Sequence, residues 1–580
     1  LELKYLYRFS FWLSLTGILA FISDFSFAQS PRFQIWLNEF YFVVLSVGLF
    51  STAIRYYENK ELFKRKVFGF DLLSVIYTFG VIYFHFFTDR FAAHQNLFYE
   101  DIYLKFAVIF TFIREFSDLN INYKRTFLNP GQLFIASFLS IILFGTLLLM
   151  TPMATRGGLS FIDALFTSTS AVCVTGLIVV DTATYFTQFG QIIILCLIQV
   201  GGLGILTFAS YFSYFFKGGT TYENQLVLGD IINSKTIGDV FSILKYILLI
   251  TFGIELISAM LIYLSIDSTN FSSHKEQIFF SVFHAVSAFC NAGFSTLTNN
   301  LFEDGFKYNY FLQLVIIFTL VLGGLGFPIV VNIMKYFKYK VVQLFSFSKK
   351  KKRYRAWVIN INSKITLVTS FILIGVGFIG YFILEWSHTL ADHNGFGKIV
   401  TALFGATTPR TAGFNTVDMS LLSFPTLIMI FLLMWIGASP SSTGGGIKTS
   451  TFAIATLNIL SLAKGKTRVE IYRREIADIT IRRAFAIISL SLVVIGFAIL
   501  LISFFDPDLG LMNIAFECFS AFSTVGLSLG ITAKLSGMSK MILIAVMFIG
   551  RVNMLTLVIA VFSKEKRKNY RYPTEEIMIN

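Results

Sequence analysis

The chain has 580 residues, of which 55% are hydrophobic, 17% aromatic and only 14% charged. Soluble domains carry roughly 25% charged residues, so the composition excludes an ordinary water-soluble domain and puts the chain in a bilayer. The formal charge of +14 does not point to nucleic acid, because Lys and Arg collect in alternate loops, as the positive-inside rule requires of cytoplasmic segments.

Residues 1–126 read as a four-span block, with apolar runs at Phe9 to Ile22, Ile35 to Ile54, Phe70 to Phe87 and, more weakly, Ile102 to Ile113; a span needs about 20 apolar residues. Ser26-Phe27-Ala28 resembles a signal-peptidase site, with Lys4 and Arg8 as its charged start. No disulfide framework or exported soluble domain follows, so an uncleaved first helix is the expectation. Beyond the basic stretch Arg114 to Arg125 and Pro130 come further apolar runs: Phe134 to Met150, Gln188 to Phe216, Leu244 to Ile266, Tyr310 to Met334, Ile365 to Leu384, Phe424 to Leu460, Phe485 to Phe505 and Met541 to Phe562. The basic segments Lys60 to Lys66, Arg114 to Arg125, Lys335 to Arg355, Lys464 to Arg483 and Lys564 to Arg571 then face the cytoplasm. They read as solvated faces that also suit anionic membrane lipid. An even number of spans puts both termini inside. Cys173, Cys196, Cys290 and Cys518 stand in apolar or half-helix stretches without metal-type spacing, which argues against disulfides and zinc and for small core residues.

From residue 127 onward one short cassette recurs, ending on Gly176, Gly293, Gly413 and Gly526, spaced 117, 120 and 113 residues apart. Six residues before each glycine stands a hydroxyl residue, Ser170, Ser287, Thr407 or Ser520, and ten before stands Phe166, Phe283, Leu403 or Phe516. Such a period is too long for a solenoid, whose repeats run roughly 20 to 50 residues, and fits a duplicated membrane unit. The units fall at 127–235, 236–355, 356–475 and 476–565, with a tail over 566–580. Each reads as span, apolar half-helix, glycine cassette and second span, the half-helices being Phe161 to Cys173, Ile278 to Cys290, Phe396 to Thr408 and Met512 to Ser523. At about a dozen residues these are too short to cross. The predicted fold class is an all-α polytopic membrane protein, with four span–loop–span repeats around one pseudo-fourfold pore beside the N-terminal block.

A dehydrated cation needs oxygens in place of its hydration shell, and a reentrant loop supplies backbone carbonyls when glycine makes the folded-back backbone accessible. Irregular backbone at membrane depth is tolerated only in a cavity lining or inside protein, so the four loops should converge. The ligand-bearing stretches are Val174, Thr175, Gly176 and Leu177; Asn291, Ala292, Gly293 and Phe294; Thr411, Ala412, Gly413 and Phe414; and Thr524, Val525, Gly526 and Leu527. A single copy of this kind is more often an ordinary glycine loop; the registered recurrence favours a cation filter. Because the copies differ, the filter is only approximately symmetric and selectivity among alkali cations less strict. Asp163, Asp181 and Asp418 fall near the external mouth, either to concentrate cations or as solvated loop carboxylates.

In the second spans Gly201-Gly202, Gly437-Ala438 and Gly550-Arg551 occupy matching places, with Gly323-Gly324 similar after a longer connection. Arg551 breaks the pattern with a cation about 15 Å from either end of its span. It is either a buried partner of Glu517 or an electrostatic barrier below the filter; replacing a small residue kept in the other copies favours the barrier. The third unit is interrupted over 437–450, where Pro440 and Gly444, Gly445 and Gly446 cannot hold a regular helix. We read this segment as a plug and gating loop to which Lys448 adds charge; its spacing fails the phosphate-loop pattern. Arg410 reads as a brace behind the filter, bonded to carbonyls or a carboxylate. No nucleophile, base and orienting group recur together, so no enzyme is expected.

Taken together, Val174-Thr-Gly176-Leu177, Asn291-Ala-Gly293-Phe294, Arg410-Thr-Ala-Gly413-Phe-Asn-Thr416, Thr524-Val-Gly526-Leu527, the insert Ser442-Thr-Gly-Gly-Gly-Ile-Lys448 and Arg551 resemble the Trk/Ktr/HKT superfamily of potassium uptake proteins, most nearly its bacterial TrkH/KtrB-like pore-forming subunits. The resemblance covers roughly residues 130 to 565. It implies four span–pore–span units around one pore, K+ as the transported ion, a homodimer, and a bacterial cytoplasmic membrane location. It also implies a separate cytosolic ring of RCK domains that carries the nucleotide, ATP/ADP or NAD, with no cofactor in this chain. The alternative is a Na+- or H+-coupled potassium symporter, for which Glu255 and Glu517 are the candidate carboxylates. The N-terminal block departs from the family pattern by its size; packing at the dimer periphery is the expected role.

Overall fold

A computed structural model describes residues 2–27, 30–58, 68–87, 102–117, 130–204, 240–345 and 359–552. The basic segments over 60–66 and 564–571, much of those over 114–125 and 335–355, Ala28, the unit boundaries near 126, 235 and 355, and the tail over 566–580 lie outside them. The first helices are α1 (Glu2–Ser26), α2 (Pro31–Glu58), α3 (Phe68–Phe87) and α4 (Ile102–Ser117). They bury Leu37, Tyr41, Phe42, Leu45, Leu104, Ala107 and Val108 against one another. The helix α4 packs on all three others.

The remaining helices are α5 (Pro130–Leu149), α6 (Phe161–Val172), α7 (Gln188–Leu203), α8 (Val240–Ser265), α9 (His274–Phe289), α10 (Tyr310–Gly324), α11 (Phe327–Phe345), α12 (Ile361–Leu384), α13 (Gly395–Thr407), α14 (Phe424–Trp435), α15 (Thr449–Ala463), α16 (Asp478–Phe505), α17 (Leu511–Phe522) and α18 (Gly537–Val552). A two-residue antiparallel hairpin pairs Glu470 with Glu475 between α15 and α16, a small departure from an all-helical chain. Among the described residues five helices are long and apolar enough to cross a membrane alone. The run Tyr310 to Met334, read as one span, is instead two helices, α10 and α11, bent by 107° at Leu325-Gly326. Gly326 is left-handed there (φ 83°), a conformation glycine adopts without a side-chain penalty. The run Phe424 to Leu460 is broken into α14 and α15, as its Pro and Gly content predicts.

The short helices α6, α9, α13 and α17 form the centre. Their starts are fixed by caps: the Ser160, Ser273 and Asn394 side chains accept from the N–H of Asp163, Glu276 and Gly397 at 3.2, 3.3 and 2.6 Å. This satisfies donors that a helix start leaves open. Each short helix packs on the span before it, α5, α8, α12 or α16 respectively. Each also packs on a second span of the preceding unit: α6 on α18, α9 on α7, α13 on α10 and α17 on α14. The succession closes on itself.

The connection after α12 shows one device that holds the third unit together, tying the end of α12 to the start of α14. Glu385 accepts from Ser423 N–H and hydroxyl at 2.9 and 2.8 Å and from the Thr389 hydroxyl at 2.9 Å. Burial opposes its charge, but hydrogen bonds from Thr426, Ser423 and Thr389 outweigh it and hold the carboxyl below its ordinary 4.5. A carboxylate depressed in the folded state contributes stability that is present above its unfolded pKa and lost as pH falls through the folded one. Glu385→Gln is therefore expected to lower the melting temperature at pH 7, with a loss of about 2 kcal/mol, and the gap from the parent to close below about pH 4. Melting curves of the two purified chains in detergent at the two pH values check this; a gap independent of pH would show that the ionised form is not what stabilises.

Candidate cation site

The ends of the four short helices carry the cassettes. A helix usually ends on a left-handed glycine, yet here Val174, Asn291, Thr411 and Thr524 take φ of 57, 60, 74 and 49°, and Gly176, Gly293, Gly413 and Gly526 two residues on take 90, 70, 76 and 87°. For the β-branched Val174, Thr411 and Thr524 this conformation is an outlier that costs about 1–3 kcal/mol each and persists only where the surroundings dictate it, whereas Asn291 adopts it more readily. The surroundings here are fully buried hydrogen bonds. The amides of Thr175, Ala292 and Val525 return to the carbonyls of Ser170, Ser287 and Ser520 at 2.7, 2.7 and 2.9 Å. The Ser170 and Ser520 hydroxyls accept from Gly176 and Gly526 N–H at 3.1 and 3.0 Å, and Ser287 donates to Phe294 O at 2.7 Å. In the third copy Thr407 bonds its own helix, and Thr408 takes over by donating to Phe414 O. The marker six residues before the glycine thus misses the working hydroxyl in that copy, where two threonines stand side by side.

The loops meet. A methyl group on Gly176 would strike Ala292 O, on Gly293 Ala412 O, on Gly413 Val525 O and on Gly526 Thr175 O, a head-to-tail circuit of four. All four glycines line one cavity of about 600 Å³, together with Asp181 and Asp418. The side chains of Leu177, Phe294, Phe414 and Leu527 are buried in the apolar clusters behind, so what these positions offer the cavity is backbone. Asp163 does not join the other two carboxylates: it pairs with Lys540 of α18 at 2.7 Å and takes no part in the lining.

On the other side of the loops lies the segment 437–450. Gly445 N donates to the Thr524 hydroxyl at 2.9 Å, and the Thr443 hydroxyl donates to Asn291 Oδ1 at 2.9 Å. Gly444 stands against Thr411, and Gly446 against Ser523. The segment is anchored at the bend between α10 and α11, with Ser439 N on Gly324 O at 3.0 Å and Phe327 N on Ser441 O at 3.2 Å. Lys448 Nζ donates to Gly444 O. Arg551 donates to Thr443 O of this segment and to Gly201 O of α7. The structure therefore brings Arg551 and the insert together and does not pair Arg551 with Glu517, whose carboxylate accepts from the Ser528 hydroxyl two residues after Gly526. Arg410 bonds carbonyls, Ser370 O at 3.2 Å and Gly437 O at 3.5 Å, rather than a carboxylate.

The glycines of the second spans explain the close approach of their helices. A methyl group on Gly201, Gly323 or Gly550 would strike the carbonyl of Val172, Phe289 or Phe522, each four residues before its cassette glycine. Gly323 keeps this place in spite of its longer connection, and Gly437 stands against Gly445 instead. Of the cysteines, Cys173, Cys290 and Cys518 are buried as expected, whereas Cys196 is exposed on α7. The sequence reading missed His284, which bridges Phe280 O and the Ser295 hydroxyl at 2.9 Å each behind the second loop. A lone histidine in a half-helix carries no spacing signal that would have found it.

A helical chain that crosses the bilayer several times, and that turns four glycine loops onto one cavity, is a multi-pass transport protein and not an enzyme. The family model described as TrkH, cation transport protein, matches residues 97–572, and the chain belongs to this family. It is 39% identical over 455 residues to the Ktr system potassium uptake protein B of Bacillus subtilis (strain 168), a match taking in 78% of this chain and 96% of the relative. It is 38% identical over 461 residues to the potassium/sodium uptake protein NtpJ of Enterococcus hirae, taking in 78% and 97%. The crystal structure of the potassium transporter TrkH from Vibrio parahaemolyticus superposes with a TM-score of 0.61 at 16% identity, over 85% of this chain and 96% of that one.

Proposed function

We propose that the chain is the pore-forming subunit of a potassium uptake system, in which the membrane potential draws K+ through a selective, gated channel. The units 127–235, 236–355, 356–475 and 476–565 act as four quarters of one pore. Their stretches from Val174 to Leu177, Asn291 to Phe294, Thr411 to Phe414 and Thr524 to Leu527 act as the filter. The observation that carries the reading is the circuit of left-handed glycines, each against the next loop's carbonyl, around one cavity. Such a ring offers a cation fixed oxygens in place of water. Asp181 and Asp418 then raise cation concentration at the entrance, and the segment 437–450 with Lys448 and Arg551 closes the path beneath. The relatives named for potassium uptake support the choice of ion. A homodimer in a bacterial cytoplasmic membrane with both termini inside, gated by a cytosolic RCK-domain ring that binds ATP/ADP or NAD, completes the proposal.

A coupled symporter is the second reading. It draws support from two buried carboxylates, Glu255, which accepts from Gln199 Nε2 at 3.2 Å, and Glu517, and from the potassium/sodium name of the Enterococcus relative. Liposomes holding the purified chain under a potassium gradient separate the two. A channel gives a reversal potential of about 59 mV per tenfold potassium gradient without sodium, held between the potassium and sodium equilibrium potentials when sodium is added, at any pH. Coupling moves that potential outside those bounds or with pH, and absence of potassium flux would remove both readings.

A further inference from the structure

We propose that the bundle α1–α4 senses the transmembrane electric potential, with α4 as its charge-carrying element. Three of its helices are an addition to the shared family: α1–α3 precede the family match at residue 97, and α4 lies just inside it. An appendage made only for anchorage needs no buried charge. Yet Arg55, Arg114 and Glu115 are 8, 0 and 2% exposed, so Arg114, read from the sequence as the start of a solvated cytoplasmic segment, is instead packed inside the bundle. Arg55 Nη2 donates to Glu115 Oε2 at 2.7 Å, and the Ser51 and Thr52 hydroxyls donate to the same carboxylate at 3.3 and 3.5 Å. Arg114 Nη1 donates to Ser74 Oγ at 3.2 Å, within electrostatic reach of Asp71. Toward the other end of α4, Lys105 pairs with Asp24 of α1 at 2.9 Å. Well-packed apolar residues would serve stability as well or better, and ionised groups are kept inside membrane helices where charge must move or be sensed.

The arrangement suits movement of α4 rather than a fixed brace. Its cations find their partners on other helices, Lys105 on α1 and Arg114 on α3, so an axial shift exchanges partners instead of stranding charges. Buried hydroxyls recur about one turn apart along the neighbours, Ser74 and Thr78 on α3 above Asp71, and Ser51 beside Arg55 on α2. A guanidinium therefore meets successive acceptors about 5.4 Å apart. Gly48 leaves room for it, since a methyl group there would lie 3.2 Å from Arg114 Nη2. The bundle also touches the first loop unit: Ser26 O, at the end of α1 and two residues from the Asp24 that pairs with Lys105, accepts from Met153 N at 3.3 Å in the connection after α5. A shift of α4 at Lys105 is delivered to the pore there.

The charges on α4, Lys105, Arg114 and Glu115, sum to +1. A one-turn shift of about 5.4 Å carries that charge through about a fifth of a hydrocarbon core about 30 Å thick, which changes the open-to-closed ratio about twofold per 100 mV. The test is the full chain in giant-liposome patches, reading conductance against voltage and, with a large impermeant cation replacing potassium, the voltage-dependent capacitive charge. Lys105→Gln, which leaves α4 neutral, is expected to flatten the dependence toward none. Glu115→Gln, which leaves it at +2, is expected to steepen it to about fourfold; where that variant fails to fold, the double substitution Arg55→Gln/Glu115→Gln removes the pair as a unit and keeps the same expectation. Opposite changes in slope are not produced by a structural brace. The inference leans on the pore reading only for the conductance: charge movement without conductance keeps the sensor and removes the pore, and no charge movement, or slopes indifferent to both substitutions, overturns the sensor.

Discussion

Replacing Arg551 by alanine is expected to raise potassium flux through the reconstituted chain by about tenfold or more without loss of folding. The guanidinium is anchored by two carbonyls, Thr443 O and Gly201 O, and among the described residues no carboxylate pairs with it. A cation passing within 4 Å meets a repulsion of about 4 kcal/mol even at an effective dielectric of 20, and relief of only a third of that is a factor of about ten. Removing the side chain also unties Thr443 from α7 and frees the insert, which acts in the same direction. Arg551→Lys keeps the charge but cannot span two carbonyls as a guanidinium does, so its flux should lie between. Tracer uptake into liposomes, with the melting temperature measured on the same preparations, checks this. A well-folded alanine variant with unchanged flux would show that Arg551 is a packing residue, and deletion of 437–450 without effect on transport would remove the plug.

The centre of the molecule was legible because its signals are local. The half-helix read over Phe161 to Cys173 is found as Phe161–Val172, and that over Phe396 to Thr408 as Gly395–Thr407, since cap residues, apolar content and the cassette bound them on both sides. The break in the third unit was legible for the same reason, as no helix tolerates Pro440 with three consecutive glycines. What escaped depends on distant partners. Asp163 was grouped with the carboxylates of the mouth because Lys540 is 377 residues away, and Glu517 stood as the less favoured reading of Arg551, a mate that Ser528 in fact holds. The bend at Gly326 lies inside an unbroken apolar run, and its cause, the insert seated against Gly324 and Phe327, comes from another unit. In α1–α4 hydropathy identified the spans and was blind to the ion pairs, which arise only when α2, α3 and α4 are laid together.

The same circuit of contacts makes the cassette glycines unequal, which gives the sharpest test of the pore. Alanine at any of them meets a positive φ, a strain of about 1 kcal/mol or more, and a neighbour's carbonyl. At Gly293 the added methyl group would lie 2.8 Å from Ala412 O and 2.9 Å from Gly413 Cα, backbone contacts that force the two loops apart, though by less than elsewhere in the circuit. At Gly176, Gly413 and Gly526 the approach to the next carbonyl is tighter, and that carbonyl is held by fully buried backbone. The close-packed surroundings cannot collapse around a displaced loop. Gly293→Ala is therefore expected to retain measurable potassium flux, with its preference over sodium reduced by about tenfold. Gly176→Ala, Gly413→Ala and Gly526→Ala should lose at least a further tenfold in flux or preference, a difference of about 1.4 kcal/mol. Bi-ionic reversal potentials of the four variants read the order directly. If all four keep the parent's preference, the carbonyls beside these glycines are not what the permeating ion touches, and the conduction path must be sought elsewhere in the chain.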